Sequence, residues 1–322
     1  MKNYKEGLYP SWAIMSSNER YFGAVEAGGT KFVCAIADAS GTLHAEARFP
    51  TAADPGSTLA AVCGFLVERS RAIGPLSAIG IGCFGPINLD RRAQDYGFIG
   101  KTPKRGWKDI DIVGILRRQF ACPVGFDTDV NAAALGEHRW GAGKEASSLL
   151  YLTVGTGIGG GVLVEGLPLH GLMHPELGHL FPRRHPKDTH FAGVCPFHGD
   201  CLEGLASGPA IVARCGNELR TLGAAHLQWD LEADYLGQLC AQAVLVLSPQ
   251  RIVMGGGVMS ETRLFPAIRQ RLSHWLGGYV DRSEILDAGE HYVVPAALGE
   301  RAGVLGSIAL AVDAAAAESS RA

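Results

Sequence analysis

The sequence predicts an α/β protein in which two lobes repeat one architecture on either side of a cleft. A chain of 322 residues is long enough to form two lobes. Two units of strand, glycine turn and strand occur, the first over residues 25–36 and the second over residues 147–166. The 43 glycines gather at the ends of predicted strands, where they permit tight turns and a close approach of the backbone to a ligand.

The first half begins with a hairpin. The runs YFGAVEA and KFVCAIAD flank the turn GGT, and TLHAEARF follows as a third predicted strand. A helix is predicted over residues 57–72, because apolar side chains recur there at helical spacing. SAIGIG then predicts a buried strand, DIVGILRRQF a helix, and PVGFD a short extended segment.

The second half repeats the pattern. VNAAALGEHRWG predicts a helix that ends at its glycine, SSLLYLTV a strand, GTGIGGG a turn, and VLVEG the returning strand. DLEADYLGQLCAQAVLVLS predicts a helix with one buried face, and QRIVMGGG a strand that ends in glycines. LFPAIRQRLSHWL and RAGVLGSIALAVDAAA are the last predicted helices.

Composition and charge exclude several classes of protein. Lys and Arg (29) nearly balance Asp and Glu (32), so no basic face indicates a nucleic-acid partner. The first twenty residues lack the apolar core of a signal peptide, and no run approaches eighteen apolar residues, so we expect neither export nor a membrane span. Four of the eight cysteines, Cys34, Cys63, Cys83 and Cys240, lie at irregular spacing in apolar runs, which indicates reduced thiols in the cytoplasm.

The glycine loops are expected to hold phosphate oxygens with backbone N–H groups. GTGIGG fits the dinucleotide pattern, but a strand follows it where that fingerprint requires a helix. GAGKE resembles the end of a P-loop, but Glu145 stands where Ser or Thr must bind magnesium. Any one of these loops alone could be a plain turn. Their corresponding positions in the two halves favour phosphate binding.

A segment rich in histidine and cysteine, residues 174–204, predicts a metal site. Cys195, His198 and Cys201 have the spacing C-x₂-H-x₂-C, which supplies three of the four ligands that a structural zinc site needs. The candidates for the fourth ligand are His174, His179, His185 and His190, and spacing alone slightly favours His185 or His190. Four protein ligands leave no open position for water, so the predicted role is structural.

Several motifs together resemble one family. VEAGGTKF, IGCFGPINLD, YGFIGKTPKRGW, DTDVNAAALGE, TVGTGIGGG, HPELGH, CPFHGDCLEGLASGPAI and VMGGGVM stand in order over residues 21–311 and resemble the ROK family of sugar kinases, in its bacterial fructokinase branch. The resemblance implies a duplicated ribonuclease-H-like (actin-like ATPase) fold. It implies an extension over residues 1–20, a small lobe over 21–122 joined by a helix at about 301–316, and a large lobe over 123–300 with a zinc loop at 179–201.

The resemblance also implies a catalytic residue. A sugar hydroxyl is a weak nucleophile, so a kinase needs a carboxylate that accepts its proton. The family's catalytic Asp corresponds to Asp129 of TDVN, where a predicted strand gives way to a helix. Asp is also a frequent N-cap residue, and we expect Asp129 to fill both roles.

The resemblance assigns binding residues as well. It places Gly85, Asn131, Glu176, His179 and Glu203 near the sugar. It places these residues near ATP: Glu26, Gly28, Gly29, Thr30, Lys31, Thr156, Gly157, Pro209, Gly255, Gly256, Gly257, Val258 and Met259. It selects His179 as the fourth zinc ligand, beside Cys195, His198 and Cys201. Two positions depart from the family: Glu26 replaces Asp but can still orient magnesium-bound water, and Thr128 replaces Asn and lacks its amide.

The implied function is the phosphorylation of D-fructose at its 6-hydroxyl by ATP, with Mg²⁺, a structural Zn²⁺, a cytoplasmic location and a homodimer. One alternative is a ROK glucokinase or mannokinase, although those carry the denser pattern C-x-C-G-x-x-G-C and this chain has CPFHGDC. A second is a non-catalytic ROK sugar sensor, which needs a DNA-binding helix-turn-helix that about twenty N-terminal residues cannot form. A zinc-ribbon nucleic-acid binder is disfavoured by the near-neutral charge.

Overall fold

The computed structural model describes residues 20–102, 104–286 and 289–320. In chain order the strands and α-helices are β1 (Tyr21–Ala27), β2 (Lys31–Asp38), β3 (Leu43–Pro50), α1 (Pro55–Ile73), β4 (Leu76–Cys83), β5 (Phe98–Ile99), β6 (Ile110–Asp111), α2 (Ile112–Gln119), β7 (Val124–Thr128), α3 (Asp129–Trp140), β8 (Ser148–Val154), β9 (Ile158–Val164), β10 (Leu167–Pro168), α4 (Leu202–Ala206), α5 (Gly208–Cys215), α6 (Gln228–Leu247), β11 (Arg251–Gly255), α7 (Leu264–Leu276), α8 (Ser283–Leu286), α9 (Gly289–Tyr292), β12 (Val293–Pro295) and α10 (Ala302–Ser319).

Two five-stranded sheets have the same topology. Their strand orders are β3-β2-β1-β4-β7 and β10-β9-β8-β11-β12. In each sheet the first three strands of the half pair antiparallel, and the last two add in parallel on the other side. The repeated hairpins of the sequence therefore correspond to a structural duplication.

Two helices lie between the sheets. Helix α10 packs on β1 and β4 of the first sheet, α3 packs on β8 and β9 of the second, and the two helices contact each other. They cross closely because both carry glycine there: a Cβ atom on Gly306 would lie 1.6 Å from the Ala132 carbonyl oxygen. This crossing holds the first turn of α3 at the junction of the two lobes.

The glycines at positions 159–161 were expected in a turn, but the structure places them inside β9. A Cβ atom on Gly161 would lie 2.1 Å from the carbonyl oxygen of Val130, in the first turn of α3. The turn itself is short, and the Gly155 N–H donates to the Gly157 carbonyl at 2.9 Å. Gly159 and Gly161 therefore allow α3 to approach the sheet, whereas Gly160 faces the Leu177 side chain.

The lobe boundary also differs from the sequence prediction. Strand β7 pairs with β4 in the first sheet. The predicted boundary between residues 122 and 123 would separate β7 from the sheet to which it belongs. We propose a boundary after Thr128 instead. The family resemblance implies that a helix at about residues 301–316 joins the small lobe. Helix α10 packs on the first sheet, which belongs to that lobe. The predicted extension lies outside the described residues except for Arg20.

One helix in the described part of the chain has the length and mean hydropathy of a membrane span. It covers Gly299–Ser319, including the short turn before α10, although the sequence had shown no run of eighteen apolar residues. Most of its apolar window is buried inside the protein (61%). Its hydrophobicity is accounted for by its position between the sheets, where it forms part of the core.

Candidate active site

Asp129 lies where β7 ends and α3 begins. The Thr128 hydroxyl accepts a hydrogen bond from the Asn131 N–H at 3.1 Å, so Thr128 is the N-cap of α3. The expectation that Asp129 itself caps the helix is therefore wrong. The Asp129 carboxylate instead accepts the N–H of Val130 at 2.9 Å. Capping does not depend on the replacement of Asn by Thr, because Asn is also a frequent N-cap residue.

The electrostatics around Asp129 are unusual for a carboxylate. Burial, together with the nearby charge of Glu176, raises the pKa of Asp129 to about 6. Burial and the charge of Asp129 raise the pKa of Glu26, on β1, to about 7. Among the described residues, the Glu26 Oε2 atom is buried without a hydrogen-bond partner. Two desolvated carboxylates that repel each other favour the binding of a cation or a proton.

Gly85, His174 and Glu176 meet on one side of Asp129. A Cβ atom on Gly85 would lie 3.2 Å from the His174 ring and 3.6 Å from Glu176 Oε1. His174 is buried, and its Nδ1 atom lies 3.3 Å from Glu176 Oε1. Burial raises the pKa of Glu176. The sequence offered His174 only as a candidate zinc ligand, and it does not belong to the Cys/His cluster, so its place in this wall is new information.

Glu203, on α4, contacts the turn between β8 and β9. Its Oε2 atom accepts the Ile158 N–H at 3.0 Å, and a Cβ atom on Gly157 would lie 2.6 Å from that oxygen. The charge of Glu203 also contributes to the raised pKa of Glu176. Glu203 thus connects the wall that carries Glu176 to the turn that carries Thr156 and Gly157.

Asn131 lies in the first turn of α3, where its Oδ1 atom is buried without a hydrogen-bond partner among the described residues, but its amide nitrogen is engaged. Its Nδ2 atom donates to Asp127 Oδ1 at 2.7 Å, and Asp127 Oδ2 lies 2.9 Å from His170 Nε2. The predicted contact of Asn131 with the sugar stays a prediction. The sequence analysis missed the pair of Asp127 and His170, because the two residues are 43 positions apart.

The Cys/His cluster consists of His179, Cys195, His198 and Cys201, whose potential ligand atoms all lie within 4.8 Å of one another. His179 Nδ1 is 3.5 Å from Cys201 Sγ and 3.9 Å from Cys195 Sγ, and Cys195 Sγ is 3.7 Å from His198 Nδ1. Ligands of a tetrahedral zinc ion lie about 3.3–3.8 Å apart, since Zn–S bonds are about 2.3 Å and Zn–N bonds about 2.0 Å. The cluster fits such an ion.

The other histidines of this segment have different environments. His185 is buried, accepts the Lys187 N–H at Nδ1 (3.2 Å) and lies 3.6 Å from Asp230 through Nε2. His190 is exposed. Neither belongs to the cluster, so the preference for them from spacing alone is wrong. The structure brings together the four residues that the family resemblance named.

A cavity of about 350 Å³ lies beside the β8–β9 turn. Thr156, Pro209, Gly257 and Val258 line it, all of which the resemblance assigned to the nucleotide. The N-terminus of α5 opens here, where the Gly208 N–H donates to the Gly155 carbonyl at 2.8 Å. Helix N-termini favour phosphate groups. Glu218, Arg220 and Glu261 also line the cavity, and no motif indicated them.

The remaining predicted nucleotide residues lie elsewhere. Gly28, Gly29 and Thr30 form the β1–β2 turn, and Lys31 lies 3.7 Å from Glu300. Gly255 ends β11 under the Tyr151 hydroxyl, and Gly256 adopts a positive φ of 93°. The Met259 side chain packs in the core of the second lobe. Their contacts with ATP stay predictions.

A family model named "ROK family" matches residues 22–314. The chain belongs to the ROK family. It is 41% identical over 301 residues to a fructokinase of Zymomonas mobilis, covering 92% of this chain and 98% of that protein. It is 40% identical over 289 residues to a fructokinase of Pediococcus pentosaceus, covering 90% and 96%. A glucokinase of Halalkalibacterium halodurans is 28% identical over 335 residues, covering 90% and 94%.

A solved structure supports the same fold. A ROK hexokinase from Thermus thermophilus has a TM-score of 0.74 and 28% identity, covering 94% of this chain and all of that one. The ribonuclease-H-like ROK fold that the motifs imply is thereby confirmed.

Proposed function

We propose that this protein is an ATP-dependent fructokinase that uses Asp129 as its general base. The observation that carries the reaction type is the partly buried Asp129 carboxylate, with its pKa raised by desolvation to about 6. It interacts with Glu176 on the predicted sugar wall and with Glu26 on the predicted phosphate side. Fructose is favoured as acceptor, since relatives named fructokinase are 38–47% identical to this chain and those named glucokinase 27–28%.

Asp129 accepts the proton of the 6-hydroxyl as the oxygen attacks the γ-phosphorus of ATP. The new O–P bond forms as the bond to the β,γ-bridging oxygen breaks, and ADP leaves. A carboxylate with a pKa of about 6 is largely ionised at pH 7 and is a stronger base than an ordinary Asp. Glu176 is placed to bind other sugar hydroxyls and to hold the ring in register with Asp129.

Glu26 would hold the hydration shell of Mg²⁺. The fit rests on the unpaired, buried Oε2 atom and on the raised pKa of this carboxyl, both of which a divalent cation relieves. Oxygen ligands and retained water are typical of Mg²⁺. When bound, Mg²⁺ neutralises charge on the phosphates of ATP.

The Cys/His cluster would hold Zn²⁺ in a structural role. Four ligands converge from two chain segments, and the Leu202 N–H donates to the Leu180 carbonyl at 2.8 Å beside them. Glu176 precedes His179 by three residues, and Glu203 follows Cys201 by two. The ion supplies no open coordination position; it fixes the two segments that carry these carboxylates.

We extend the proposal to a cytoplasmic homodimer. All eight cysteines are free thiols, in keeping with a reducing compartment. Phe181 and Phe197 are exposed to 63% and 60% and flank His198, an apolar surface of the kind that subunit contacts use. Sedimentation velocity gives the subunit count, and a monomer over the working concentration range would exclude the dimer.

The test of the proposed function is a sugar panel. ATP-dependent phosphorylation is measured with fructose, glucose, mannose and N-acetylmannosamine, and kcat/KM is compared among them. We expect the highest value for fructose, with the phosphate at O6. A clear preference for glucose or mannose would make the enzyme a different ROK hexose kinase, and binding without turnover would make it a sugar sensor.

A further inference from the structure

His174 joins the two lobes on the sugar side of the cleft. It follows β10 of the second sheet, while the loop of Gly85, Pro86 and Ile87 follows β4 of the first. The Ile87 N–H donates to His174 Nε2 at 3.3 Å. This bond connects the two lobes through one side chain and one backbone group.

The second ring nitrogen faces Glu176. His174 Nδ1 lies 3.3 Å from Glu176 Oε1. Because Nε2 accepts a hydrogen bond from the Ile87 N–H, a neutral His174 carries its own proton on Nδ1, the nitrogen that points at the carboxylate. Both nitrogens are thus committed, and the ring links the loop after β4 to Glu176.

His174 is also a steric element of the wall. Its side chain is 4% exposed, and its ring packs against Gly85, where a Cβ atom would lie 3.2 Å from Cε1. Glu176 is more open, with 39% of its side chain exposed. The imidazole therefore closes the pocket behind a carboxylate that remains accessible to a ligand.

We propose that His174 is a positioning residue that ties Glu176 to the loop after β4 and sets the sugar selectivity of the enzyme. The inference rests on the proposed function, in which Glu176 contacts the sugar. His174 acts through Glu176 and through the position of Gly85. Its loss frees Glu176 to rotate, leaves the Ile87 N–H without its partner and widens the pocket by the volume of an imidazole.

His185 is a matched control. It too is buried, accepts a backbone N–H (from Lys187) and faces a carboxylate (Asp230), but all three residues belong to the second lobe. A merely structural role predicts similar behaviour for the two histidines. A positioning role predicts that only His174 changes the kinetics of the sugar.

The experiment compares His174→Ala, His174→Gln, His185→Ala and His185→Gln. In His174→Ala we expect KM for fructose to rise about tenfold, corresponding to about 1.4 kcal/mol. KM for ATP should stay within about twofold, and the kcat/KM ratio of fructose to glucose should fall. Gln has an oxygen and a nitrogen spaced like the two ring nitrogens, so it should recover part of both effects. Both His185 variants should lose thermal stability with unchanged sugar KM.

Unchanged fructose KM and unchanged selectivity in His174→Ala would overturn the inference, as would equal effects in His174→Ala and His185→Ala. The wild-type sugar panel reports separately on the proposed function. If wild type prefers another sugar, the same ratio of variant to wild type for that sugar still tests His174. If wild type phosphorylates no sugar, both proposals fail.

Discussion

The start of α3 and the Cys/His cluster both contribute to the predicted sugar pocket. Glu176 interacts electrostatically with Asp129 at the start of α3 and with His179 in the cluster. They differ in how well their polar atoms are satisfied. At α3, Asp129 and Glu26 have raised pKa values, and Glu26 Oε2 has no partner among the described residues. In the cluster, four ligand atoms converge on one another. Perturbed groups are typical of reacting sites, whereas a closed ligand set is typical of a structural metal.

Among the changes that test this comparison, replacing Asp129 should have the largest effect on activity. Asp129→Asn removes the proton acceptor but keeps the size of the side chain, so we expect kcat to fall by about 10²- to 10⁴-fold. Thermal stability should hold or rise, because an amide avoids the cost of burying a charge. Steady-state kinetics and a melting curve on the same preparation test both statements.

Asp127→Asn is the matched control, because Asp127 lies two residues before Asp129, near the end of β7. Asp127 accepts from Asn131 and pairs with His170, so its loss should lower stability by about 1–3 kcal/mol. We expect its kcat to stay within about tenfold of wild type. If Asp127→Asn were as inactive as Asp129→Asn with normal stability, the assignment of the base would be wrong.

Gly161→Ala should displace the start of α3. The new Cβ atom would lie 2.1 Å from the Val130 carbonyl oxygen, and the helix turn that carries Asp129 must move to accommodate it. A shift of about 1 Å in a reacting group can cost about 10²-fold in rate, so we expect a loss of that order in kcat. Gly64→Ala is the control, since Gly64 is exposed in α1 with nothing within 4 Å of the added atom.

Gly64→Ala should leave kinetics unchanged and add about 0.5–1 kcal/mol of stability, because Ala is the better helix former. A Gly161→Ala enzyme with wild-type kcat would show that the glycines of β9 do not position the base.

The pH dependence of kcat/KM tests the electrostatics of the α3 side. Burial raises the pKa of Asp129 to about 6, and only its ionised form can accept the proton. Activity should therefore be full well above pH 6 and fall about tenfold per pH unit below it. A profile measured from pH 5 to 8 that is flat down to pH 5, with the fold intact by circular dichroism, would contradict this.

Metal removal tests the Cys/His cluster and should have the smallest effect on the rate of phosphoryl transfer. Cys201→Ser weakens the cluster, so we expect a lower melting temperature and a fructose KM raised about tenfold, with a smaller change in kcat. Cys215→Ser is the control, because Cys215 lies outside the cluster and its thiol donates to the Ile211 and Asn217 carbonyls, a role that a Ser hydroxyl can also fill. Metal content by atomic emission should fall in the first variant and not in the second.

The sequence predicted the elements of both halves well, because the hairpins and helices have strong periodicity. It could not distinguish glycines in a turn from glycines inside a strand. GTGIGGG is typical of one turn, but residues 159–161 belong to β9, where Gly159 and Gly161 face α3. Thr128 as N-cap was missed for a related reason, since Asp129 is an equally good cap by residue type.

The site was predicted where motifs are local. TDVN, the Cys/His spacing and the glycine loops lie within short segments, so the family resemblance could assign them. His174 and the pair of Asp127 and His170 depend on contacts between distant segments. Glu218 and Arg220 reach the predicted nucleotide cavity only through the fold.

The most direct test of this division of roles is the single-turnover rate of phosphoryl transfer at saturating fructose and ATP with Mg²⁺. It is measured for the zinc enzyme, for the enzyme reconstituted with Cd²⁺, which thiolate ligands bind strongly, and for Asp129→Asn. We predict rates within about twofold for the two metals and a loss of about 10²-fold or more for Asp129→Asn. A rate that changes tenfold with the metal, or that survives in Asp129→Asn, would contradict a structural metal and a catalytic Asp129.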